Sequence, residues 1–320
     1  MPIHDLGYRP WNGKLTPPST RWAVIARTGA RRVWQSAWIR RIVFFAWLPL
    51  LMLILIFLGF EFAAGGGPVS QQITLNISRD MFDIQDLPRL PGAEATEALQ
   101  SRRHDFWLMI LSNYLRFPQG FALVLTVGLI APRLISEDAS SRAFLFYFSR
   151  PLSRLEYILG KFITVSLFLA AITMLPALCM YVIAIALAAS PAVFFETWDI
   201  PLRIIGASMV VIVPASAISL CFSSLTKDSR FASFAWFALW IFGVVTWLVV
   251  LIWRLSNDVW PDTYGLEEYV SLHHIFGAVQ RAVFGLDDFS NVWFFAAILI
   301  MATAGSLFVL FQRVSSPMKA

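Results

Sequence analysis

Charge is what this 320-residue chain has least of. Asp, Glu, Lys and Arg make up 14% of it, against about 25% in an ordinary soluble domain. With 58% hydrophobic residues, it has too little polar surface to keep a folded body in water. Cysteine is scarce too. Cys179 and Cys221 both lie inside apolar runs, which excludes a disulfide framework and leaves two small buried hydrophobes. A phosphate-cradling loop is missing. Gly160-Lys161 lacks the earlier glycine of Gly-x(4)-Gly-Lys-Ser/Thr and is followed by Phe162, so the chain is not expected to hydrolyse ATP by that route. Gly-x-Ser-x-Gly, His-Glu-x-x-His and a pair of membrane Asp residues are missing as well, which leaves intramembrane proteolysis unsupported.

What is present is long apolar runs. About 20 apolar residues cross a bilayer as a helix. Charge-free runs cover residues 42–60, 162–189, 204–226, 231–253 and 289–312. The remaining run, 117–132, is short and extends upstream through Trp107–Leu115 only by carrying Arg116; that arginine must snorkel or face a cavity. The first run begins after 41 residues, too late for an ordinary signal peptide, and is expected to be a retained anchor. The expectation is therefore an all-α membrane protein with six spans in one transmembrane domain, 1–320, and outer loops at 62–105 and 254–288. With the N-terminus inside, 17 of the 25 Lys and Arg fall in the inner segments 1–41, 133–161, 227–230 and 313–320. The positive-inside rule then places both termini in the cytoplasm. The net charge of +5 follows from the same pattern, and no nucleic-acid partner is expected. The expected location is the bacterial plasma (inner) membrane, with the bilayer itself as a partner.

Two inner segments stand out. In Ser19–Arg41, Ser19 or Thr20 can cap a helix in which Trp22, Ile25, Val33, Trp34 and Trp38 are apolar and Arg21, Arg27, Arg31, Arg32, Arg40 and Arg41 basic. That pattern predicts an interfacial amphipathic helix at the headgroups, with Arg31, Trp34, Trp38 and Arg41 as its anchors. Its role is anchoring alone or contact with a cytoplasmic partner as well. In 130–161, Ser136 precedes Glu137 and Asp138, and acids favour a helix first turn. An apolar cluster, Phe144 to Phe148, follows, and Ser149-Arg150-Pro151 ends it. Pro151 stops the helix and Ser153 can cap the next. The residues predict a short cytoplasmic helix with an aromatic row, which either docks a partner or lies flat on the membrane.

The order Ser-Glu-Asp-x(4)-Ala-x(4)-Ser-Arg-Pro-Leu-Ser-Arg-x(5)-Gly-Lys resembles the loop between spans two and three of type-2 ABC exporter permeases. The resemblance implies that Glu137–Phe148 is a coupling helix held in a groove of a separate ABC ATPase. Glu137, Asp138, Arg142, Phe144, Phe148, Arg150 and Arg154 would then be the coupling residues, and Pro151, Ser153, Gly160 and Lys161 match the entry to span three. One departure is Ser141-Arg142, where the family often has Ser-Gly. The resemblance also implies a second copy or a homologous permease, re-entrant outer helices before the last span, and ATP with Mg on the partner ATPase, none of them bound by this chain.

The outer loop 264–288 is periodic in Leu266, Tyr269, Leu272, Phe276, Val279 and Val283, with Glu267, Glu268, Gln280 and Arg281 polar between them. This predicts short amphipathic helices dipping into the outer leaflet. His273-His274 with Asp287-Asp288 suggests a metal site only weakly, because adjacent helical residues point about 100° apart; no metal is expected. The better spans hold no ionisable group in their cores, unlike ion-driven carriers. Three readings follow: a permease subunit, an exporter, that couples ATP hydrolysis to substrate movement; an ABC membrane subunit that passes mechanical motion to an extracytoplasmic partner; or a structural or assembly membrane protein without an ATPase.

Overall fold

The computed structural model describes residues 17, 20–82, 91–141, 143, 152–188, 190–257 and 266–315. They form helices and no strand. In chain order these are α1 (Arg21–Trp34), α2 (Ala37–Ala64), α3 (Pro68–Phe82), α4 (Ala93–Ser101), α5 (Arg103–Arg116), α6 (Pro118–Ser140), α7 (Arg154–Ile172), α8 (Met174–Leu187), α9 (Ala192–Glu196), α10 (Ile200–Leu225), α11 (Ser229–Ser256), α12 (Leu272–Phe284) and α13 (Phe289–Ser315). A 3-10 turn, Leu266–Tyr269, precedes α12.

Six helical units are long and apolar enough to cross a membrane: α2, α5–α6, α7–α8, α10, α11 and α13. Two of them are broken. The α5–α6 unit breaks at Phe117, whose backbone stays in the helical region at φ −92° and ψ −72° and which directly precedes Pro118. The α7–α8 unit bends at Thr173, three residues before Pro176. A proline cannot donate to the carbonyl four residues back, so each break falls where that bond is lost. The α5–α6 unit has 38 residues. At 1.5 Å per residue that is far longer than a hydrocarbon core of about 30 Å, so its ends project beyond the apolar slab.

Helix α10 is the centre of the molecule, packing against α6, α7, α8, α12 and α13. Its apolar window is 72% buried, against 17% for α2, α11 and α13. Those three turn wide apolar faces outward, to lipid or another membrane chain. The apolar face of the amphipathic α12 packs against other helices of this chain. Ile275, Phe276, Val279, Gln280 and Phe284 are all buried, and the helix is wedged among α5, α10, α11 and α13. Gln280, read as a polar-face residue, is buried and donates through Nε2 to the Ala207 carbonyl at 3.2 Å. The misreading has a physical cause: α10 offers that amide an acceptor inside the protein.

The loop 62–105 folds back as α3 and α4 against the end of α2. Gln71 fixes it, donating to Ala63 O at 3.1 Å and Thr96 Oγ1 at 2.8 Å and accepting from Gly92 N at 2.9 Å. Below it, Arg103 Nε and Glu61 Oε1 form a buried ion pair at 3.1 Å.

Candidate functional site

The C-terminal end of α6 and the N-terminal end of α7 bring the two halves of the 137–161 motif together. Helix α6 runs through Pro132 rather than stopping there. The missing proline N–H leaves the Gly128 carbonyl without its helical donor, and Ser233 of α11 supplies one through Oγ at 3.0 Å. Ser223 of α10 donates to Pro132 O at 2.7 Å and accepts from the amides of Ile135 and Ser136, each at 3.1 Å. Ser136 bonds back to the Pro132 carbonyl as well. Two neighbouring helices thus hold α6 straight through its proline.

Glu137 and Asp138 consequently occupy the last turn of α6. This corrects the expectation that they open a new helix. Carboxylates oppose the dipole at a helix C-terminus, and cations from two other helices offset the cost. Arg32 of α1 meets Glu137 at 2.9 Å in an exposed pair. Asp138 is buried. Lys161 Nζ lies 2.7 Å from its Oδ2, and the Tyr157 hydroxyl donates to the same oxygen at 2.7 Å. Lys161 also donates to the Leu134 carbonyl at 2.7 Å. A buried ion pair is tolerable when its remaining donors and acceptors are satisfied in this way. Asp138 and Lys161 are 9% and 10% exposed.

Helix α7 starts where the sequence predicts. Ser153 Oγ accepts from the Glu156 amide at 3.2 Å, and Glu156 Oε2 accepts from the Ser153 amide at 2.7 Å. This is a complete capping box. Arg154 opens the helix, half-buried, and makes no ion pair with Glu137 or Asp138. Arg142, Phe144, Phe148 and Arg150 lie outside the described residues.

Helix α1 forms the third wall. Thr20 stands at its N-cap position but donates to Pro17 O instead of capping. Its C-terminus is covered by Arg40, which donates to the carbonyls of Trp34 and Gln35, both at 2.9 Å. Part of its apolar face is spent on α7. A Cβ on Gly160 would lie 2.7 Å from Ile25 Cβ and 2.9 Å from the Trp22 carbonyl, and one on Gly29 would lie 2.7 Å from Thr164 Oγ1. Two glycines therefore set the close approach of these helices. Trp34 stacks on Phe168 of α7 at 6.1 Å, so one predicted membrane anchor also packs inward. Trp38 is 67% exposed with Arg41 over its ring at 5.3 Å, and Arg31 is exposed. Between α1, α2, α6 and α7 lies a cavity of about 400 Å³.

Sequence reasoning missed the Asp138–Lys161 pair although it quoted both residues. The available signal was Tyr157 and Lys161 at i and i+4, which places a hydroxyl and an ammonium on one helix face. Among the described residues no three His, Cys, Asp or Glu gather to hold a metal ion. The His273 and His274 rings stand nearly perpendicular at 5.2 Å, His274 stacks on Trp247 at 4.5 Å, and Asp287 is taken by Arg281 at 2.8 Å.

Comparison with curated proteins gave no match. A family model described as "ABC-2 family transporter protein" matches residues 40–315. That match takes in all but the first three residues of the six membrane helices and both α6 and α7, and the chain belongs to the ABC-2 transporter family.

Proposed function

We propose that this chain is the membrane-spanning subunit of an ABC exporter, driven by a separate ATPase that grips the segment following Ser140. The observation that carries this reading is the buried Asp138–Lys161 pair. It ties the end of span two to the start of span three, on either side of the segment that resembles a coupling helix. A push on that segment reaches α6 through Asp138, α7 through Lys161 and α1 through the Arg32–Glu137 contact. Rocking of these helices between two packings would then open and close the pathway, as rigid elements in packed cores do. The chain works with a second copy or a homologue, both termini lie in the cytoplasm of a bacterial cell, and ATP and Mg sit on the ATPase.

The test uses the intact complex. Lys161→Met, combined with Asp138→Asn so that no unpaired charge stays buried, should leave the ATPase bound but abolish stimulation of ATP hydrolysis by the membrane subunit. Full stimulation in that variant rejects the junction as the transmission point.

A second reading has an observation of its own. The α3–α4 cap presents Val69 and Ile73, 71% and 55% exposed; with the cap outside the membrane, as the topology expectation has it, this is a surface through which motion could pass to an extracytoplasmic partner. Substrate flux in liposomes containing only this complex separates the two readings: flux supports export, and ATP hydrolysis without flux supports mechanical transmission.

A further inference from the structure

The cavity between α1, α2, α6 and α7 is amphipathic in a directed way. Its apolar wall is Val24, Ile25, Val33, Ile39, Leu129 and Ile130. Its charged lining is Arg32, Arg133, Lys161, Glu137 and Asp138. Those charges do not cancel. Glu137 is matched by Arg32 and Asp138 by Lys161, which leaves Arg133, exposed and without a carboxylate partner among the described residues. Trp38 also lines the cavity, with the polar-edged indole that favours the headgroup level of a bilayer. The cavity therefore sits where α6 leaves the apolar slab, with hydrocarbon-like wall on one side and an unmatched cation on the other.

We propose that it is a binding site for an anionic glycerophospholipid. The phosphate is held by Arg133, with Arg32 alongside, because a guanidinium fork fits phosphate oxygens in two parallel hydrogen bonds. One acyl chain lies along the apolar wall between α1 and α6. A zwitterionic lipid would bring its own cation to a site that already carries a surplus positive charge, so the site discriminates by headgroup charge. The Arg32–Glu137 contact is exposed, 73% and 40%, and exposed pairs of this kind exchange partners at little cost. A bound phosphate thus competes with Glu137 for Arg32, at the turn that leads into the 142–151 segment. The lipid site stands independently of whether an ATPase grips that segment.

The test is native mass spectrometry of the protein, with whatever subunits accompany it, released from nanodiscs of equal phosphatidylglycerol and phosphatidylcholine. The wild type should retain phosphatidylglycerol over phosphatidylcholine by about fivefold, the preference expected of one cation near a membrane surface. Arg133→Gln should remove that preference. Val24→Trp, a change at an exposed position on the apolar wall, should lower retention of both lipids while leaving the melting temperature unchanged. Wild-type preference in Arg133→Gln overturns the proposal, as does wild-type retention in Val24→Trp. Displacement of phosphatidylglycerol from the wild type by millimolar inorganic phosphate alone assigns the site to a soluble anion and overturns the lipid reading too.

Discussion

At the scale of single residues, the inner junction rests on Lys161. Removing one partner of a buried ion pair leaves the other charge unsolvated and costs about 3–5 kcal/mol. Lys161→Met should therefore lower the thermal stability of the purified protein sharply, and adding Asp138→Asn should recover most of it, since Asn keeps an acceptor for the Tyr157 hydroxyl. Melting curves of the two variants check this. Gly160→Ala should loosen α1 from α7, because its Cβ meets Ile25 and the Trp22 carbonyl inside contact distance; overpacking of this kind costs about 1–3 kcal/mol. Just before α10, Asp199 accepts from His104 Nε2 at 3.0 Å and Arg203 Nε at 2.7 Å. Burial pushes its carboxyl up, but the hydrogen bonds and charges of His104 and Arg203 outweigh burial and hold it below the ordinary carboxylate value of 3.8. A lowered carboxyl stabilises the fold fully above the unfolded value, and that stability is lost as pH falls through the folded one. Asp199→Asn should thus lower the melting temperature at pH 7 and flatten its further decline below about pH 4; an unchanged acid response would show that Asp199 contributes nothing there.

At the scale of elements, the cap formed by α3 and α4 depends on Gln71, whose amide is shared among three backbone or side-chain partners. Gln71→Ala should free the cap and raise the rate of external protease cleavage within residues 62–105, without changing the membrane helices. Breaking such a buried node costs about 1–3 kcal/mol. This element was only partly legible in the sequence. The apolar runs gave the spans because lipid imposes a length and a hydropathy on every crossing helix. The Ser153 capping box was legible because its contacts lie within three residues. The continuation of α6 through Pro132 was not. It depends on hydroxyls of Ser223 and Ser233, more than 85 residues away by sequence number, and local rules read Ser136-Glu137-Asp138 as a helix start. The inward burial of α12 was illegible for a related reason: amphipathic spacing shows that a helix has an apolar face, but not what that face packs on.

At the scale of the whole molecule, α10 is the buried axis and α2, α11 and α13 are the exposed periphery. The account predicts both termini on the cytoplasmic side; reporter fusions at residue 320 and within 62–105 should report opposite sides of the membrane. The fold class and family were legible from charge, run length and one motif. How the motif works was not, because its two halves become a site only when α6 and α7 meet. The central claim is that an ATPase subunit holds the segment after Ser140. A photocrosslinking residue at Phe144, in the complex isolated from native membranes, tests it most directly. The account predicts an adduct with an ABC ATPase from Phe144 and none from the outer, exposed position Phe195. Absence of any ATPase adduct at Phe144, or equal yield at Phe195, contradicts it.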